Sequence, residues 1–458
     1  MRYRIERDIL GMVKVPYYAY YGSETARAIG NFRISGLTIQ QGFIRSYALL
    51  KRCAALANMR VGKLDGKRGR AIIRACDEVM RGRLNDFPLD IFQAGGGTST
   101  NMNLNEVIAN RAIELLNGKR GDYRMVHPND HVNMSQSSND TYPAAICMAS
   151  YFAVRDSLLP SLDTLLHELR LKTREFSGIV KIGRTHMQDA VPITLGQEFS
   201  GYAGIVEEAI EGIRHAQTLL LELPIGGTAV GTGINAGRAY SKAFIGELNK
   251  ASRARFYVSR RMFAVMQNRS AELSLANAVS EAAVGLGKIA NDIRLLGSGP
   301  RAGLGDILIP EAQPGSSIMP GKINPSIPEM TNMVCFQCIG NATTVREAVS
   351  AAQLEINVFE PVIAYNLLFS LGILTNAAAT FSRKCISGVK ANTAKIREGI
   401  EMDLSIATAL NPYIGYSKAA EIARKAYREN KSVKEVCIEL KVMDKKKLDE
   451  ILDARHTT

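Results

Sequence analysis

Residues 271–296 read AELSLANAVSEAAVGLGKIANDIRLL, and the spacing of their apolar side chains decides the architecture. Leu275, Val279, Ala282, Leu286, Ile289, Ile293 and Leu296 recur at intervals of three and four, the period that aligns side chains on one face of an α-helix. A helix this long exceeds the usual globular length and needs neighbours of its own kind, in a bundle or between subunits. Residues 199–223 repeat the stripe with Tyr202, Ile205, Val206, Ala209, Ile210, Ile213, Ala216 and Leu220. Similar helices are predicted from about Pro328 to Glu347 and from about Leu354 to Lys384. Small residues crowd these faces (AAVGLG, TNAAATF), which lets helix axes approach closely.

Strand signals are sparse, and neither βαβ alternation nor a fixed-period repeat is present, so Rossmann and barrel architectures are disfavoured. The reading is a mostly α-helical chain in three parts. These are a mixed helical head over residues 1–139, a long-helix bundle over 140–393 and a small helical tail over 394–458. With 458 residues, 46% hydrophobic and 22% charged, the chain has the balance of a soluble globular protein. The first residues carry charges among their apolar positions and no signal-peptide core. Apolar runs are read as broken by charge before they reach a membrane span, so no membrane partner and a cytoplasmic location are expected.

The net charge of +13 sits in patches mixed with acids, such as KVMDKKKLDE, and lacks a nucleic-acid-binding motif. It reads as solvated surface, and no nucleic-acid partner is expected. Seven scattered cysteines do not form a disulfide framework, and Cys335 and Cys338 read as core thiols on one helix face. His167 opens HELR rather than HExxH, so no metal site is expected.

Four polar loops interrupt the helical pattern. PGSSIMPGKINP at 314–325 packs prolines and glycines around Ser316, Ser317, Lys322 and Asn324 and excludes regular structure. QAGGGTSTNMNLN at 93–105 lacks both the P-loop and the dinucleotide spacing, so nucleotide binding is not expected. It places Thr98, Ser99, Thr100, Asn101 and Asn103 just before a helix whose free N–H groups would favour a carboxylate. SQSSND supplies Ser137, Ser138 and Asn139, and GRTH supplies Thr185 and His186, the latter read as part of a helix-start loop. Turn or cap chemistry explains any one of these loops; four together exceed it.

GSSIMPGKINP resembles the signature of the aspartase/fumarase superfamily. The likeness runs in order through RIERDILGMVKVP, YYGSETARAIGNF, GGGTSTNMN, HPNDHVNMSQSSND, GRTHMQDAVP, GGTAVGTGIN, SGPRAGLGD and LNPYIGYSKAAEIA. The resemblance implies a three-domain, mostly helical subunit. It also implies a homotetramer with each site assembled from three subunits, and anti β-elimination from a succinate skeleton through an aci-carboxylate, without cofactor. By the same resemblance Ser316 is the base, and Lys322 and Asn324 bind the α-carboxylate of a dicarboxylate substrate. Thr98, Ser137, Ser138 and Ser317 grip the β-carboxylate, and Asn139, Thr185 and His186 surround the leaving group. HPNDHVN, DAVPI and NPSIPEMTNMVCFQ resemble the aspartases, implying deamination of aspartate; SQSSND and GLGDILIPEAQPGSS lean toward the fumarases. A non-catalytic member of the fold is a further alternative, and the presence of all the chemical positions speaks against it.

Overall fold

The computed structural model describes residues 2–453 and divides into two compact units. The first comprises residues up to Pro160, Glu211–Glu281 and Phe336–Thr375; the second comprises Ser161–Ile210, Ala282–Cys335 and Asn376 onward. Several of these boundaries fall inside helices Leu195–Leu219, Ser270–Leu296, Ser326–Ser350 and Glu360–Lys384. The fold is mostly α-helical, as the periodicity requires.

Every apolar position read from residues 271–296 is buried, from Leu275 through Leu296. Small residues do what the sequence implies: a Cβ on Gly285 would meet the Ile205 side chain at 2.6 Å, inside van der Waals contact. All seven cysteines are buried thiols. One boundary moves: the predicted helix from Leu354 begins at Glu360 instead. Residues before it form a compact turn in which Asn357 Oδ1 accepts from Phe359 N and Leu354 takes a positive φ. Residues 361–382 carry no charge at all, contrary to the expectation that every apolar run is interrupted. That helix has the length and hydropathy of a membrane span, and half of its most apolar stretch is buried inside the protein.

In the first unit an antiparallel hairpin, Tyr3–Asp8 with Gly11–Pro16, precedes the helices, in a stretch whose sequence reads as part of a mixed helical head. The Gln41–Arg60 helix forms the centre, packed by Gly66–Met80, Ser138–Ala153 and Arg238–Ser252. Phe43, Tyr47 and Tyr142 meet edge-on or tilted at 5.0–6.0 Å between ring centres. In the second unit the tail builds its own small core from Leu410, Ile422, Ala426, Val433, Val436, Cys437 and Leu448. The last residues of the tail, 454–458, lie outside the described residues.

Candidate active site

The polar segment at 93–105 is not a loop before a helix. A tight turn of three glycines, Gly95–Gly97, leads directly into the Thr98–Leu115 helix, so the hydroxyls and amides lie within its first turns. Glycine is obligatory here for space as well as angle. A Cβ on Gly97 would sit 2.0 Å from the Tyr142 ring, and one on Gly95 would sit 2.8 Å from Val358. Four of the five polar side chains turn inward and are buried. Thr100 donates to Gln93 Oε1 at 2.6 Å, Asn101 accepts from Tyr47 and Lys51, and Asn103 donates to the Asp86 carbonyl. Thr98 alone faces solvent, its Oγ1 3.3 Å from Ser138 Oγ.

Ser137 is the N-cap of the Ser138–Ala153 helix and closes a capping box with Asp140. Its hydroxyl accepts from Asn139 N, and its own N–H donates to Asp140 Oδ1. Ser138 and Asn139 therefore occupy the first turn with their side chains half-exposed. Asn139 Nδ2 donates to the Ala229 carbonyl at 2.8 Å, which turns Oδ1 toward the Gly96 side as an acceptor. Asp140 was not singled out from the sequence, although S-x-x-D is the capping signal that marks it. It is fully buried and accepts from Gly226 N and Thr228 N at 3.0 Å, clamping the GGTAVGTGIN loop. Burial pushes its carboxyl up to about 7 against these donors.

In the second unit, GRTHMQDAVP is a β-hairpin and not a helix-start loop. Val180–Thr185 pairs antiparallel with Gln188–Thr194, and His186 and Met187 form the two-residue tip. Both tip residues have positive φ (55° and 63°), the geometry of a primed turn that matches strand twist. The placement of GRTH in a helix-start loop is corrected: there is no helix here to cap, and His186 stands exposed beside Thr185 at the hairpin end. Along its first strand the hairpin is fixed by Asp306, which pairs with Arg184 at 2.7 Å and Lys181 at 3.1 Å.

PGSSIMPGKINP is a closed loop, as its prolines and glycines dictate. Gly315 N donates to the Lys322 carbonyl at 3.0 Å, and Asn324 Nδ2 donates to the Gly315 carbonyl at 2.6 Å, so the two limbs are tied. Ser316 Oγ accepts from Ile318 N at 3.2 Å and Met319 N at 2.8 Å. An ordinary hydroxyl turn has the same bonds, but for an alkoxide they become charge-assisted. Ser317 and Lys322 are exposed. The expected ligands thus sort into Thr98, Ser137, Ser138 and Asn139 in the first unit, and Thr185, His186, Ser316, Ser317, Lys322 and Asn324 in the second. Among the described residues no group of three or more His, Cys, Asp or Glu side chains is gathered for a metal ion.

A family described as lyase matches residues 11–340, and one described as the fumarase C C-terminus matches 406–458. The chain belongs to the aspartase/fumarase superfamily. Its lyase relatives fall in both branches. An aspartate ammonia-lyase of a Bacillus species is 45% identical over 99% of this chain and 97% of its own length. The class II fumarate hydratase of Helicobacter pylori is 46% identical over 99% and 98%. That of Thermosynechococcus vestitus is 47% identical over 97% and 96%. Among solved structures, the cobalt-bound fumarate lyase:delta crystallin of Brucella melitensis superposes with a TM-score of 0.96 at 44% identity, covering 100% of this chain and 99% of that one. The class II fumarase of Schistosoma mansoni gives 0.96 at 39%, covering 99% and 98%.

Proposed function

We propose that this lyase catalyses the reversible deamination of L-aspartate to fumarate and ammonia. The Ser316 alkoxide takes a proton from the methylene carbon beside the β-carboxylate. The electron pair moves into that carboxylate to give the aci form, then returns to make the double bond as the C–N bond breaks and ammonia leaves. Two backbone N–H groups already directed at Ser316 Oγ lower the cost of the alkoxide. Lys322 and Asn324 receive the α-carboxylate, and Thr98, Ser137, Ser138 and Ser317 receive the β-carboxylate and its added charge. Thr185 and His186 flank the leaving group with Asn139.

What carries this reading over hydration is the likeness of HPNDHVN, DAVPI and NPSIPEMTNMVCFQ to the aspartases, and the orientation of Asn139, itself in the fumarase-like SQSSND, is compatible with it. With Nδ2 tied to Ala229, the side chain offers an acceptor. An ammonium is donor-only, and its bond to a carbonyl oxygen contributes about 1.5–3 kcal/mol, more than the roughly 1 kcal/mol of a neutral hydroxyl. The nearness of the Helicobacter and Thermosynechococcus hydratases supports a second reading, in which the same serine and grips dehydrate L-malate. Purified protein given each substrate, followed at the fumarate absorbance with a parallel ammonia assay, decides between them. Efficient malate dehydration with no ammonia from aspartate overturns the deaminase reading.

The assembly we propose is a homotetramer whose sites draw on three subunits. Met333, Phe336 and Val284 support it: these apolar residues of the long helices are 67%, 65% and 59% exposed in the single chain. Sedimentation tests it, and so does partial recovery of activity when Ser316→Ala and Ser138→Ala subunits are exchanged.

A further inference from the structure

A lysine with no exposed surface lies directly behind the Ser137–Asn139 segment. Lys51 sits on the inward face of the Gln41–Arg60 helix, one turn after Tyr47, and is 0% exposed. Its ammonium donates to Asn101 Oδ1 at 2.7 Å, Asn133 Oδ1 at 2.9 Å and Gln136 Oε1 at 3.0 Å, which uses all three protons. A buried cation bonded to neutral amides alone is costly to keep, so its place calls for a return. Its three acceptors lie on two separate pieces of chain. Asn101 belongs to the helix that begins at Thr98, and Asn133 and Gln136 form the turn that delivers Ser137.

Neighbouring bonds extend the tie. Tyr47 Oη donates to the same Asn101 oxygen and lies 2.8 Å from Thr141 Oγ1, which in turn donates to the Ser137 carbonyl. Asp140 completes it from the other side by accepting from Ser137, Gly226 and Thr228 N–H groups, and the Ala229 carbonyl that follows holds Asn139. Burial draws Lys51 down to about 7 while the Asp140 charge opposes that fall, so each makes the other's burial cheaper.

We propose that Lys51 is a positioning residue that joins the Thr98 turn to the Ser137–Asn139 turn, setting the separation of the hydroxyls that grip the substrate carboxylate. The inference rests on the proposed role of those hydroxyls. Lys51 touches no substrate. It acts by keeping Thr98 and Ser138 in register, where a misplacement of about 1 Å costs roughly 10²-fold in rate.

The test is a double-mutant cycle in the full-length assembled enzyme, read as the dissociation constant of succinate, a dicarboxylate with no leaving group. Lys51→Met and Ser138→Ala are each expected to weaken succinate at least tenfold. The double variant should be no more than about threefold weaker than the worse single one, because both changes remove the same grip. Multiplying factors, or a Lys51→Met protein that melts lower but binds succinate normally, overturns the inference while leaving the grip intact. Normal binding by Ser138→Ala removes the grip reading and the inference with it. Should Lys51→Met fail to fold, Gln136→Met withdraws one acceptor without a charge change. It is expected to weaken succinate severalfold and to be non-additive with Ser138→Ala; additivity there counts against the inference equally.

Discussion

Replacing Gly315 by alanine tests the loop geometry at its tightest point. The added Cβ would lie 2.4 Å from Asn324 N, 2.6 Å from the Lys322 oxygen and 2.9 Å from the Ile323 carbonyl carbon, all backbone atoms that no rotamer can move aside. To restore ordinary van der Waals separation the returning limb must retreat by about 1 Å. That retreat breaks the Gly315–Lys322 pairing and the Asn324–Gly315 bond, a local loss of about 1 kcal/mol each. Ser316 is next to Gly315, and Lys322 and Asn324 ride on the displaced limb, so base and α-carboxylate ligands separate. A displacement of this size is expected to lower kcat about 10²-fold. The loop tip is exposed, so the melting temperature should change little. Gly321→Ala is the control: φ is +78° there, but nothing lies within 4 Å of the new Cβ, so it costs about 1 kcal/mol of backbone strain and leaves the limbs tied. Fumarate absorbance with L-aspartate, alongside thermal melts, reads both variants. More than a tenth of wild-type kcat in Gly315→Ala, or equal damage from Gly321→Ala, would refute the reasoning.

Ser316→Ala should leave less than about a hundredth of the turnover with an unchanged melting temperature, since it deletes the base and no core contact. Asn139→Ala is expected to lower kcat/KM for aspartate about ten- to a hundredfold, the loss of one hydrogen bond to a charged group; initial rates at low substrate measure it. Glu106 is buried and receives the N–H groups of Gly22, Glu24 and Thr25, capping the Ser23–Asn31 helix from a distance. Burial pushes its carboxyl up to about 7, so its contribution to stability is full below the unfolded value near 4.5 and is lost as pH rises through about 7. Thermal melts from pH 5 to 8 should therefore fall more steeply in the wild type than in Glu106→Gln; parallel curves would count against that assignment.

Local chemistry alone was enough for the long helices and the closed loop. The three-and-four stripe of residues 271–296 admits one structure that hides its apolar face, and no regular element can pass through three prolines and two glycines in a dozen residues. Tertiary structure decided what each polar side chain does. Thr100, Asn101 and Asn103 look like Thr98 in the sequence, but only packing against Gln93, Tyr47, Lys51 and Asp86 separates the inward three from the one left facing outward. His186 reads from the sequence as part of a helix-start loop. The pairing of Val180–Thr185 with Gln188–Thr194, a contact between strands that each carry a weak signal, puts it at a hairpin tip. Nothing in the run of residues around Lys51 marks it for a role. Its meaning arises where Asn101, Asn133 and Gln136, up to 85 residues away in the chain, converge on one ammonium, because hydrogen bonding depends on distance in space and the sequence records only distance along the chain.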